Sequence, residues 1–186
     1  MLLDIGVGIL FSLLVGKLFA IDISASWVAC GVLFALLPDI DIVPYAFKRY
    51  FNKKEAYNHR TFTHYPIVYL PLVYVVYVVF GLPYALLCAC GVYFHLLHDT
   101  VWLGWGISWF WPFSTRKYKS FPDKNGKISS ALMTSWSAED EDRLFREGHN
   151  PHWVRDFYLR PNIVAYFEYT VFIVSIIALI FAVHFK

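Results

Sequence analysis

The sequence predicts an all-α integral membrane protein, a helical bundle of about five spans with a cytoplasmic or interfacial helical segment before the last span. Three observations carry that prediction. Apolar residues make up 58% of the 186-residue chain and its mean hydropathy is positive, a composition typical of membrane proteins rather than soluble domains. Five apolar stretches approach the roughly 20 residues a helix needs to cross a bilayer. Aromatic residues, 20% of the total, suit anchoring at the membrane–water boundary.

Taken in order, the first stretch covers roughly residues 3–20. It opens Met1-Leu2-Leu3-Asp4 with no positive charge and carries Lys17 at its far end, so it reads as a retained helix rather than a cleaved signal. The second, 25–42, is short for a full crossing and ends at Pro38. The third, 66–80, starts at Pro66, a residue favoured in a first helical turn. The fourth, 83–103, follows Gly81-Leu82-Pro83, a tight turn. The fifth, 163–184, is the clearest, with Glu168 as its one carboxylate.

Between the last two spans runs an aromatic segment from Trp102 to Phe113, suited to the headgroup layer. Ser137-Ala138-Glu139-Asp140 has the form of a capping box and predicts a short acidic helix to about Arg146. Asn150-Pro151 predicts a second, interfacial helix ended by Pro161. The domain reading is therefore a membrane bundle with the functional site over 1–113, a cytoplasmic or interfacial segment over 114–162, and a last transmembrane helix over 163–186 that packs on the bundle.

Charge orients this arrangement. Lys48, Arg49, Lys53, Lys54 and Arg60 crowd residues 44–65, and Arg116, Lys117, Lys119, Lys124 and Lys127 follow the fourth span. Basic loops stay inside, which places both segments in the cytoplasm and predicts a multi-pass protein of the inner (plasma) membrane. The net charge of +2 gives no reason to expect a nucleic-acid partner. Cys30, Cys88 and Cys90 lie in apolar runs, an odd count without a Cys-x-x-Cys pair, and read as packing residues.

Three polar clusters interrupt the apolar chain: Pro38-Asp39-Ile40-Asp41, His59-Arg60-Thr61-Phe62-Thr63-His64, and His95-Leu96-Leu97-His98-Asp99. Ionisable groups at membrane depth cost about 2.5–3.5 kcal/mol each on insertion scales, and imidazoles with carboxylates are ligands for divalent metals. His95 and Asp99, four apart on a helix, share one face. The predicted metal ligands are Asp39, Asp41, His59, His64, His95 and Asp99. Zinc is the first expectation, with manganese or iron as alternatives, as one ion or two. Each cluster also has an ordinary reading: a helix cap at Asp39 and Asp41, loop histidines at 59 and 64, an internal hydrogen-bonded pair at 95 and 99. Arg60, with Arg116 or Lys117 as alternatives, is the candidate phosphate clamp, and Glu168 is the candidate general base or a further ligand, with pairing at the interface as its ordinary reading. His98, His149 and His152 are weaker candidates.

These elements resemble the LexA-binding, inner-membrane-associated metal-dependent hydrolases. Members show Pro-Asp-x-Asp, then His-Arg-x-x-Thr-His, then His-x-x-x-Asp leading to a Gly- and Trp-rich stretch that ends in Trp-Pro. The counterparts here are Pro38 to Asp41, His59 to His64, and His95 to Asp99 running on to Trp111-Pro112, across residues 1–113. The resemblance implies a small helical membrane protein with a metal-hydrolase site at these positions. Where members carry a histidine near the amino terminus, this chain offers Asp4, and Tyr65 stands where a small serine is common. A fainter similarity to helical zinc phospholipases and nucleases guides the choice of phosphoester substrates.

The first functional expectation is a membrane-bound metal-dependent hydrolase that cleaves a phosphoester of a lipid or lipid-like molecule with metal-activated water. The second is a non-catalytic regulator or scaffold that binds a cytoplasmic protein partner and holds a structural metal. A metal transporter fits less well, because the clusters collect at one membrane face rather than at mid-bilayer.

Overall fold

The computed structural model describes residues 1–41, 62–101, 106–121, 123–124, 127–128, 132–137, 140, 155 and 159–184. Among them, five α-helices follow the apolar stretches: α1 (Leu2–Leu18), α2 (Ala25–Leu36), α3 (Tyr69–Phe80), α4 (Leu82–Thr100) and α5 (Ile163–His184). Short 3-10 turns at Leu37–Asp41, Phe62–His64 and Pro66–Val68 carry most of the polar motifs. Four short strands follow α4: β1 (Lys117–Lys119), β2 (Asp123–Lys124), β3 (Lys127–Ile128) and β4 (Thr134–Trp136). The chain divides into two compact units.

The first unit, residues 1–37, 69–95 and 163–186, is helical. Ser24 caps α2 by accepting from the Trp27 backbone N–H. Trp27 then joins Val15 and Leu87 in a buried core, and its indole N–H donates to the Ser12 carbonyl at 2.8 Å. Glycines let the helices touch. A Cβ at Gly8 would lie 2.7 Å from the Gly31 carbonyl oxygen, and one at Gly91 would lie 2.9 Å from the Ala35 nitrogen. A Cβ at Gly6 would meet the Phe172 backbone at 3.0 Å, so α5 rests against α1. Gly81, at φ +87°, makes the turn between α3 and α4 in a conformation that a side chain would strain.

The second unit is residues 38–68 and 96–162. Here the end of α4 is fastened to β1. Ser120 N–H donates to the Thr100 carbonyl at 2.7 Å, and Trp109 donates its indole N–H to the Thr100 hydroxyl. Ile107 and Tyr118 exchange both backbone hydrogen bonds at 3.0 Å. β1 pairs antiparallel with β4, Tyr118 opposite Ser135, and β2 pairs with β3. Tyr65 stacks on Trp111, with ring centroids 4.7 Å apart.

Two expectations are corrected. The first is the five-span bundle, because α5 alone among the described residues is long and apolar enough to cross a membrane. The helices α2 and α3 have 12 residues each, about 18 Å of rise against a hydrocarbon core of about 30 Å. The 17 residues of α1 reach about 25 Å. At 19 residues α4 comes closer, but His95, His98 and Asp99 in its last turns make it too polar. Apolar runs that looked continuous are cut by 3-10 turns at Leu37 and Pro66. The second correction is to the all-α class, since residues 117–136 contain two short antiparallel ladders. Of the acidic helix predicted from Ser137, the described part agrees: Ser137 Oγ accepts from the Asp140 N–H. The interfacial helix from Asn150 and most of the acidic one lie outside the described residues.

Candidate metal centre

Pro38 is buried at the point where α2 tightens into the 3-10 turn that carries Asp39 and Asp41. A second such turn brings in Thr63 and His64, and the last turn of α4 brings in Asp99. His64 is 2% exposed and His95 1%.

His64 is the hub of the second unit. Its Nε2 lies 3.3 Å from Asp99 Oδ2 and 3.8 Å from Asp39 Oδ1. On the opposite side of the ring, Nδ1 lies 3.4 Å from Asp41 Oδ2 and 3.1 Å from the Thr63 hydroxyl. Thr63 donates its single proton to Asp41 Oδ2 at 2.6 Å, so its oxygen accepts from His64 Nδ1–H. The carboxylates thus divide into two kinds. Asp39 and Asp99 face Nε2, whereas Asp41, with Thr63, holds the ring from behind. Asp41 Oδ1 makes no hydrogen bond among the described residues. Burial alone would lower the His64 pKa, but the surrounding carboxylates of Asp39, Asp41 and Asp99 outweigh it and push the value up to about 9.

These residues fit a divalent cation. The Nε2–carboxylate distances of 3.3 and 3.8 Å exceed the roughly 2.7–2.9 Å of charge-assisted hydrogen bonds. They are close to the ligand–ligand edge of about 3.4 Å that bonds of about 2.1 Å subtend in a tetrahedron. Asp39 and His64 of the second unit each offer one ligand atom, the two within 4.8 Å of each other, and His95 is a buried histidine of the first unit. Mixed imidazole and carboxylate donors suit zinc, manganese or iron and do not single one out.

Of the other predicted site residues, His59 and Arg60 lie outside the described residues, as do His149 and His152. Glu168 is 1% exposed in α5 of the first unit, its carboxylate 3.8 Å from the Met1 amino group. His98 is half-buried on α4. Arg116 reaches Ser135 on β4 and Lys117 is buried in β1. Sequence reasoning missed the role of Thr63, whose place inside the histidine motif was the available signal. It also left Asp4 without a partner; the structure sets Asp4 Oδ1 3.3 Å from His95 Nδ1.

A family model described as YdjM inner membrane protein matches residues 4–184, nearly the whole chain. No curated protein and no solved structure matches. The family description supports the membrane location and names neither LexA nor a hydrolytic reaction.

Proposed function

We propose a catalytic role from one premise: the chain belongs to the YdjM inner membrane protein family. Membership and α5, the single bilayer-length helix among the described residues, support a protein held at the inner membrane. The role proposed is a metal-dependent hydrolase acting on a phosphoester of a lipid or lipid-like substrate. The observation that carries it is the convergence of Asp39 and Asp99 on Nε2 of buried His64.

In this reading Asp39, His64, His95 and Asp99 hold the cation, while Asp41 and Thr63 orient His64. A bound divalent ion supplies Lewis acidity toward water and a phosphoryl oxygen. Arg60 is assigned to the substrate phosphate, where a guanidinium pairs in bidentate fashion, and Glu168 is carried as the candidate base. Exposed Phe110 and Phe113, in the segment whose Trp111 stacks on Tyr65 beside His64, support a lipid rather than a soluble substrate. Basic residues ahead of α5, Arg155 and Arg160 among them, favour the cytoplasmic face for this segment.

The test is metal content by elemental mass spectrometry on the full chain in detergent, beside an Asp39→Asn/Asp99→Asn double variant. A screen of phosphoester lipids follows. One or two ions per chain, lost in the double variant together with lipid hydrolysis, is the expected result. A metal that binds without any hydrolysis would instead favour a regulator or scaffold with a structural ion and a cytoplasmic protein partner.

A further inference from the structure

Asp4 lies in the apolar helix α1 and is 1% exposed. An ionised carboxylate buried so deeply is costly unless it is paired or hydrogen-bonded. Its Oδ1 sits 3.3 Å from His95 Nδ1, and its Oδ2 lies 3.0 Å from the Met1 amino group. The same His95 nitrogen is 2.9 Å from the Ala35 carbonyl oxygen. A carbonyl only accepts, so His95 Nδ1 carries a proton and donates it. In the neutral ring the lone pair is then on Nε2. The packing explains why Ala35 is within reach: Gly91, one turn before His95 on α4, lets the α2 backbone approach so closely that a Cβ there would lie 2.9 Å from the Ala35 nitrogen.

We propose that Asp4 is a positioning residue: with the Ala35 carbonyl it holds His95 by Nδ1, fixes the ring's tautomer and presents Nε2 as the metal-binding atom. The inference rests on the metal reading above. Asp4 neither touches the ion nor the substrate. It acts through His95, as a carboxylate behind a ligating imidazole does generally, by setting ring orientation and raising ligand basicity. The same logic applies to His64, where Asp41 and Thr63 stand behind Nδ1. Both imidazoles are therefore gripped at the same ring atom, one from α1 and one from a 3-10 turn.

Two measurements on the full chain in detergent test this. The first is titration with Co2+, read by its visible absorption, on wild type, Asp4→Asn and His95→Ala, with thermal unfolding of each metal-free protein as a control. Asp4→Asn is expected to weaken Co2+ binding by about 10–100-fold while metal-free unfolding stays cooperative, and His95→Ala to weaken it further. The second uses wild type with ring-15N histidine and Zn2+, in which the nitrogen shifts of His95 are expected to report ligation through Nε2 and a protonated Nδ1. Should Asp4→Asn bind Co2+ within about twofold of wild type while His95→Ala loses it, Asp4 has no positioning role and the metal reading survives. Ligation of His95 through Nδ1 overturns the proposal even where Asp4→Asn fails to fold. Wild type that takes up no Co2+ overturns the metal reading, and the role of Asp4 with it.

Discussion

Nε2 of His64 lies 3.3 Å from Oδ2 of Asp99, although one residue arrives on a 3-10 turn and the other on the last turn of a long helix. This pairing is where two motifs of the second unit become one site. The two ring nitrogens of His64 face different carboxylates, so those carboxylates carry different consequences.

Asp99→Asn removes a charge on the Nε2 side and is expected to weaken Zn2+ or Co2+ binding by more than about 100-fold. Asp41→Asn, on the Nδ1 side, is expected to cost about 10–100-fold, the range for a group that orients a ligand. Isothermal titration of the two variants checks the order. Equal losses would place Asp41 among the ligands and remove the distinction drawn here.

The raised His64 pKa sets a pH dependence with a definite sign. The folded value, about 9, lies above the ordinary histidine value of 6.5. In metal-free protein the stabilisation from His64 and its carboxylates is therefore fully present below about pH 6.5 and lost as pH rises through about 9. Thermal unfolding in chelator from pH 6 to 10 should show this decline, and His64→Asn should flatten it. Metal must displace that proton, so at neutral pH binding should release about one proton from His64. Titration in two buffers of different ionisation enthalpy measures it.

Gly8→Val tests the helix contacts of the first unit. A Cβ at Gly8 already meets the backbone of Gly31 and Val32 at 2.7 Å, and backbone cannot rotate aside. The larger side chain is expected to destabilise by about 1–3 kcal/mol, as overpacking does, seen as a lower unfolding midpoint in detergent. A Gly8→Val protein as stable as wild type would mean that α1 and α2 do not touch there.

Much of this protein was legible along the chain. The apolar runs mark the five helices among the described residues, and Gly81 with Pro83 marks the turn between α3 and α4. Pro38 to Asp41, Thr63 with His64, and His95 with Asp99 stand out because ionisable groups are conspicuous in an apolar sequence. Helix spacing alone puts His95 and Asp99 on one face.

The five-span reading failed for a physical reason. A hydropathy window averages composition, whereas crossing a membrane requires an unbroken rise of about 30 Å. The turns at Leu37 and Pro66 and the polar end of α4 interrupt that rise without much changing the average. The strands escaped notice because pairs such as Lys117 with Trp136 are made between distant residues and leave no local period in segments of two or three residues.

The sequence by itself determined which residues are available as ligands and which segments become helices, since both follow from side-chain chemistry and local spacing. Only the tertiary structure decided which atom of each imidazole is held and by what. That depends on Thr63 reaching Asp41, and on glycine contacts that carry Asp4 and the Ala35 carbonyl to His95. Those are distances between residues far apart in the chain, set by how closely backbones can pack.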